Sequence, residues 1–98
     1  MARFEIADGE GAAFNVHAGS DVFFDLGMMY ATGGSVPADL VTAHKWFNIA
    51  ALKGNAEAAR LRRELSAEMS DGDIAAAQRA ARAWLNSADQ RIEHRAAA

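Results

Sequence analysis

The sequence predicts an all-α fold, a short αα solenoid of about four antiparallel helices, and three observations carry that reading. Alanine is concentrated at 56–59, 75–77 and 80–83, where a small side chain of high helix propensity suits closely packed helices. Apolar residues recur at three- and four-residue spacings in successive stretches, separated by the breakers GGSVP at 33–37, KGN at 53–55 and SDGD at 70–73. The stretches also echo one another. Gly19 and Leu26 return as Gly54 and Leu61 at an offset of 35, and Asp39, Leu40 and Ala43 return as Asp73, Ile74 and Ala77 at an offset of 34. A helix-turn-helix unit of that period cannot bury its own apolar face and stacks on the next one.

Residues 1–18 hold Phe4, Ile6, Phe14 and Val16 among glycines and acids with no helical period, so they read as an irregular arm, either briefly extended or set to drop a phenylalanine into a groove. Helix one, about 21–32, is capped by Ser20 or Asp21 and presents Phe23, Leu26 and Tyr30 on one side, with Met29 extending it. Gly27 inside it costs about 1 kcal/mol of propensity relative to alanine, which a close helix crossing would explain. Gly33 and Gly34 end the helix, and Pro37 restricts Val36 to an extended shape. Asp39 caps helix two, about 40–53, whose face is Leu40, Ala43, Phe47 and Ala50 with Trp46 beside it. Lys53 and Gly54 form its exit, and Asn55 caps helix three, which carries Ala58, Leu61, Leu65 and Met69. After SDGD, helix four runs from Ile74 to about His94 with a stripe of Ile74, Ala77, Ala81, Trp84 or Leu85, Ala88 and Ile92.

Ninety-eight residues suit one domain and are too few for separate cofactor and substrate domains. The absence of cysteine excludes disulfides, thiolate metal sites and cysteine nucleophiles. The first residues lack the apolar run of a signal peptide, and no stretch approaches the ~20 apolar residues of a membrane span, so a cytoplasmic protein away from membranes is expected. The net charge of −3 is divided unevenly: residues 1–43 carry six acids against Arg3 alone, and residues 44–98 carry nine bases against seven acids. That mild asymmetry argues against a dedicated nucleic-acid binder, which concentrates its basic groups in a stripe.

The run LGMMYATGGSVPADLVTAHKWFNIAALKGNAEAARL resembles the Sel-one-like repeat, a subfamily of the tetratricopeptide-like helical repeats. Leu26 and Gly27, Met29 and Tyr30, Gly33, Val36, Asp39, Ala43, Trp46, Phe47, Ala50 and Ala51, and Gly54 match its pattern in order. The resemblance makes 19–54 a first repeat and 55–98 a degenerate one with a long capping helix: Ala56, Ala58 and Leu61 fit, but Leu65 replaces a tyrosine and Ala80 a tryptophan. In the turn, Ser35 stands where the family has its second glycine, so either the left-handed residue moves to Gly34 or Ser35 is strained. The family's members usually are non-catalytic scaffolds that bind proteins along the concave side of the stack, in signalling, protein quality control and bacterial envelope or virulence settings. The resemblance therefore implies a tetratricopeptide-like superhelix, a protein or peptide partner and no cofactor. It makes Leu26, Gly27, Tyr30, Gly33, Asp39, Ala43, Trp46, Phe47, Ala50, Gly54 and Leu61 structural.

Candidate contact residues are Phe24, Asp25, Met28, Arg60 and Glu64, which flank the predicted buried stripes of helices one and three. Trp46 is placed to fill the seam between hairpins; Trp84 either covers the open end of the stack or, with the alanine and leucine stripe, drives a homodimer through the last helix. Gly33 and Gly34 read as a turn, since a phosphate cradle needs a preceding strand and a following lysine with serine or threonine. His44, with no acid or histidine three or four residues away, reads as a surface or groove-edge residue. Asp71 and Asp73 suit a helix start better than a calcium loop. Arg60, Arg62 and Arg63 alternate with Glu57, Glu64 and Glu68 as a solvated face. Two rival functions remain: an enzyme or metal protein using His17, His44 and His94 with Asp25 or Asp39, and a nucleic-acid accessory using Arg60, Arg62, Arg63, Arg79 and Arg82.

Overall fold

The computed structural model describes residues 19–97, with side chains described through residue 87. The arm expected at 1–18, with His17, lies outside the described residues, as do the side chains of Ala88, Ile92 and His94. Among the described residues the chain is all-helical: α1 is Ser20–Thr32, α2 Leu40–Leu52, α3 Ala56–Ser66 and α4 Asp71–Ala97. No helix among them is long and apolar enough to cross a membrane.

Helix α2 is the centre of the molecule. Its buried residues are Ala43, His44, Phe47, Ile49 and Ala50, which at 100° per residue occupy more than half of its circumference. Such a helix needs partners on several sides, and α1, α3 and α4 each pack against it, whereas α3 and α4 pack on one another far less. The core comprises Phe23 from α1, Ala43, Phe47, Ile49 and Ala50 from α2, Ala58 from α3 and Ala81 from α4. Its alanines let backbones approach, and its two buried phenylalanines fill what remains. Gly27 shows the closest approach: a Cβ there would lie 2.5 Å from Cδ1 and Cε1 of Phe47, so the crossing expected from the sequence is present.

The connections follow from local chemistry. Gly33 ends α1 in the left-handed region at φ 75°, its N–H donating to the Met29 carbonyl. Neither expectation for this turn holds, since Gly34 and Ser35 both lack a positive φ. The turn reverses one residue earlier, against Ala38, whose Cβ would lie 3.1 Å from a Cβ on Gly33. The Asp39 N–H then donates to the Tyr30 carbonyl at 2.9 Å, tying the start of α2 to the last turn of α1. Asp39 caps α2 as expected, accepting from the Thr42 N–H through Oδ1 at 3.1 Å and from the Thr42 hydroxyl through Oδ2 at 2.8 Å.

Between α2 and α3 the N–H of Gly54 donates to Ala51 O and that of Asn55 to Ala50 O, the paired bonds of a Schellman turn, with Gly54 at φ 102°. Asn55 at once caps α3, accepting from the Ala58 N–H at 2.8 Å. Two further boundaries differ from expectation. The cap of α1 is Gly19, with no side-chain hydrogen bond, because Ser20 and Asp21 already lie inside the helix. Helix α4 begins at Asp71 rather than Ile74: Ser70 accepts from the Asp73 N–H and leaves Asp71 and Asp73 in the first turn, where negative charge is favourable.

Candidate functional site

The α2–α3 seam holds the one fully buried polar residue among the described ones, His44, 1 % exposed. On α2 the polar arc runs through Asn48, Lys45 and Thr42, and His44 lies at its apolar edge, so the packing of α3 covers it. The expectation of a surface or groove-edge histidine is corrected: three neighbours around α2 leave that edge no access to water. His44 Nε2 lies 3.0 Å from Ser66 Oγ, and the Ser66 hydroxyl donates to the Arg62 carbonyl at 2.9 Å. With the serine's single proton committed to that carbonyl, Nε2–H must be the donor, which leaves Nδ1 as a bare lone pair. Nδ1 is buried and has no hydrogen-bond partner. Burial, and secondly the positive charge of Arg62, lower the His44 pKa from its ordinary value, which disfavours the protonated ring. Beside it the Arg62 guanidinium donates to Asn48 Oδ1 at 2.5 Å, a second polar link across the same seam.

A serine within reach of a histidine raises the question of nucleophilic catalysis. The polarity of the bonds runs the wrong way, since histidine donates to serine, and nothing orients Nδ1. The pair is a packing link between helices.

On another side of α2, Phe23, Trp46 and Trp84 form a closed triangle of rings. Phe23 stacks on Trp46 with centroids 5.9 Å apart, and Trp84 meets Phe23 and Trp46 edge-on at 5.3 and 5.6 Å. One ring comes from each of α1, α2 and α4, so Trp84 joins the core beside Trp46. Lys45 Nζ sits 4.3 Å from the Trp46 ring centroid, and burial lowers its pKa from the ordinary lysine value.

The candidate contact residues divide between two elements. On α1, Phe24 packs half-buried against Phe47 with centroids at 5.8 Å, while Asp25 is exposed and Met28 is 37 % exposed. On α3, Arg60 pairs with Glu57 and Glu64, so it and Glu64 satisfy each other at the surface. Of the other structural candidates, Leu26, Tyr30 and Leu61 are half-buried against the core, Ala43, Phe47 and Ala50 are inside it, and Gly34 is an exposed turn residue. The described members of the histidine and carboxylate set stand apart: His44 is closed inside the seam, both Asp39 oxygens serve Thr42, and Asp25 faces solvent, while His17 and the side chain of His94 lie outside the described residues. Among the described residues no group of three or more histidine, aspartate and glutamate side chains could hold a metal ion. Of the five arginines, Arg60 is engaged by glutamates and Arg62 by Asn48, while Arg63, Arg79 and Arg82 are exposed on two helices.

No protein-family model matches the chain, and no significant match exists among curated proteins or solved structures. Sequence reasoning missed His44, Ser66 and Asn48 as one seam. The available signal was the narrow polar arc of α2, four polar residues in LVTAHKWFNIAAL, too few for a helix with one solvated face.

Proposed function

We propose that the chain is a small, non-catalytic protein-interaction module of the Sel-one-like repeat type, working in the cytoplasm as an adaptor for a protein or peptide. The observation that carries this reading is the ordered match from Leu26 to Gly54. The physical roles of the matched residues support it: Gly27 gives Phe47 its seat, Gly33 makes the left-handed turn, Asp39 caps α2 and Trp46 binds α1 to α4. The proposed surface is the inner, groove-facing side of α1 and α3, to which Phe24, Asp25 and Met28 contribute apolar and acidic groups and Arg60 with Glu64 a mixed-charge pair. The length of α4 beyond Leu85 makes self-association through that helix a second mode of use.

The test is affinity capture with the purified full chain, followed by sizing of any complex. The expected result is a stoichiometric protein partner whose binding weakens at least ~10-fold in Asp25→Lys/Met28→Glu, a surface change that leaves thermal stability within about 0.5 kcal/mol. Failure to form any stoichiometric complex, together with turnover of a small substrate, would sink the proposal. Light scattering of the chain alone separates a capping α4, which leaves a monomer, from an associating one.

A further inference from the structure

The α2–α3 seam carries an inference independent of the proposed function. We infer that His44 makes the docking of α3 on α2 sensitive to acid, so that proton uptake at its buried Nδ1 releases α3 while the α1–α2 hairpin stays folded. The geometry supplies each step. Nε2–H is already spent on Ser66, so the next proton can go only to Nδ1. That atom is buried without a hydrogen-bond partner, and the new N–H would carry charge with only the His44 backbone, the weakest influence on the ring, to favour it. From α3 the ring is faced by Ser66 and by Arg62, a like charge that repels an imidazolium. On its own helix the neighbouring Lys45 is also cationic and lies over Trp46. The charged groups of α1, Asp21 and Asp25, and those of the described part of α4, Asp71, Asp73, Arg79 and Arg82, are exposed, and none of them acts on the ring as Arg62 does. The remaining charged groups of and beside α3, Glu57, Arg60, Arg63, Glu64 and Glu68, are exposed as well, so among the described residues no carboxylate acts to stabilise the protonated form.

What yields is decided by the weakest contact. Helix α3 contributes one fully buried side chain, Ala58, whereas α2 contributes five and α1 buries Phe23 and the Gly27 crossing. Elements with few buried apolar contacts open first. Release of α3 exposes the imidazolium to water and separates it from Arg62, which removes both costs together.

Two measurements test the inference on the full chain. In the first, the His44 ring is followed by NMR between about pH 7.5 and 5 while backbone amide protection is measured in α1 and α3. The expected result is an Nε2–H tautomer at the upper pH, then a fall in α3 protection, corrected for intrinsic exchange, at least ~10-fold greater than in α1 as the ring takes up its proton. Protonation with α3 protection falling no more than α1 protection overturns the inference, as does a ring that stays neutral until the whole chain unfolds. In the second, His44→Phe keeps a ring in the seam and removes the titration. The selective acid loss of α3 should vanish, and its persistence would show that another group is responsible. Should the variant not fold, the wild-type titration still decides.

Discussion

A methyl group at Gly27 would stand 2.5 Å from two carbons of the Phe47 ring, and that ring is fully buried and cannot swing aside. Alanine gains about 1 kcal/mol of helix propensity over glycine, but overpacking a core costs about 1–3 kcal/mol. Gly27→Ala is therefore expected to lower stability by roughly 0–2 kcal/mol in urea unfolding, with no net gain from propensity. A stabilised variant would mean that α1 and α2 can part without loss. The turn offers a paired comparison. Gly33 has φ 75° and a Cβ there would meet Ala38 at 3.1 Å, whereas Gly34 lacks a positive φ and a Cβ there would meet only Thr32 Oγ1, at 3.9 Å. Gly33→Ala should cost about 1–2 kcal/mol, and Gly34→Ala should change stability by less than about 0.5 kcal/mol. Thermal or urea melts of the two proteins check the assignment, and equal losses would count against it.

At the scale of the element, the helices are held at their ends by side chains that the sequence announces. Asp39 and Asn55 occupy cap positions because each precedes an apolar period and follows a glycine-containing turn, a local pattern readable without tertiary knowledge. Replacement of either by alanine should cost about 1 kcal/mol in denaturant unfolding. The Asp39 cap also has a pH signature: its side-chain bond from Thr42, then the backbone bond from Thr42, lower its pKa from the ordinary aspartate value of 3.8. A depressed carboxylate contributes stability that is complete above the unfolded pKa and is lost as pH falls through the folded one. Asp39→Asn, which keeps an acceptor oxygen but cannot ionise, should flatten the stability curve below pH 3.8 relative to wild type; an unchanged curve would remove Asp39 from the acid response. Helix positions and the Asp39 and Asn55 caps were legible because they depend on neighbours within one or two turns of chain. The crossing at Gly27 was legible because a glycine inside an apolar helical period marks a close approach even when its partner, Phe47, is distant in sequence. The left-handed residue was misplaced by one because spacing does not encode which of two adjacent glycines takes the positive φ. The burial of His44 was illegible for a related reason: it depends on a serine 22 residues away and on α3 lying over that edge of α2.

Across the whole molecule, the question is what holds α4 to the rest. Among its described residues the fully buried side chains are Ala77 and Ala81, which bring little apolar area, so the larger contribution of that part falls to Trp84 and Leu85 packed against the core. Trp84 reaches Phe23 of α1 and Trp46 of α2 edge-on, which makes the ring triangle the junction of three helices. If that junction is energetic as well as geometric, Trp46 and Trp84 must be coupled beyond the area each buries. A double-mutant cycle with Trp46→Leu and Trp84→Leu isolates the term, leucine keeping the sites apolar. Each single replacement should cost about 1–3 kcal/mol, and the pair should fall short of additivity by about 0.5–1.5 kcal/mol, the coupling measured for aromatic pairs. Additivity within about 0.3 kcal/mol would show instead that α4 is held by shape and area alone. The same proteins report on cooperativity: in wild type, unfolding followed by tryptophan fluorescence and by far-ultraviolet circular dichroism should coincide at neutral pH, since the rings tie α1, α2 and α4 into one unit. In Trp84→Leu the two curves should separate, because α4 can then fray without disturbing the α1–α2 hairpin.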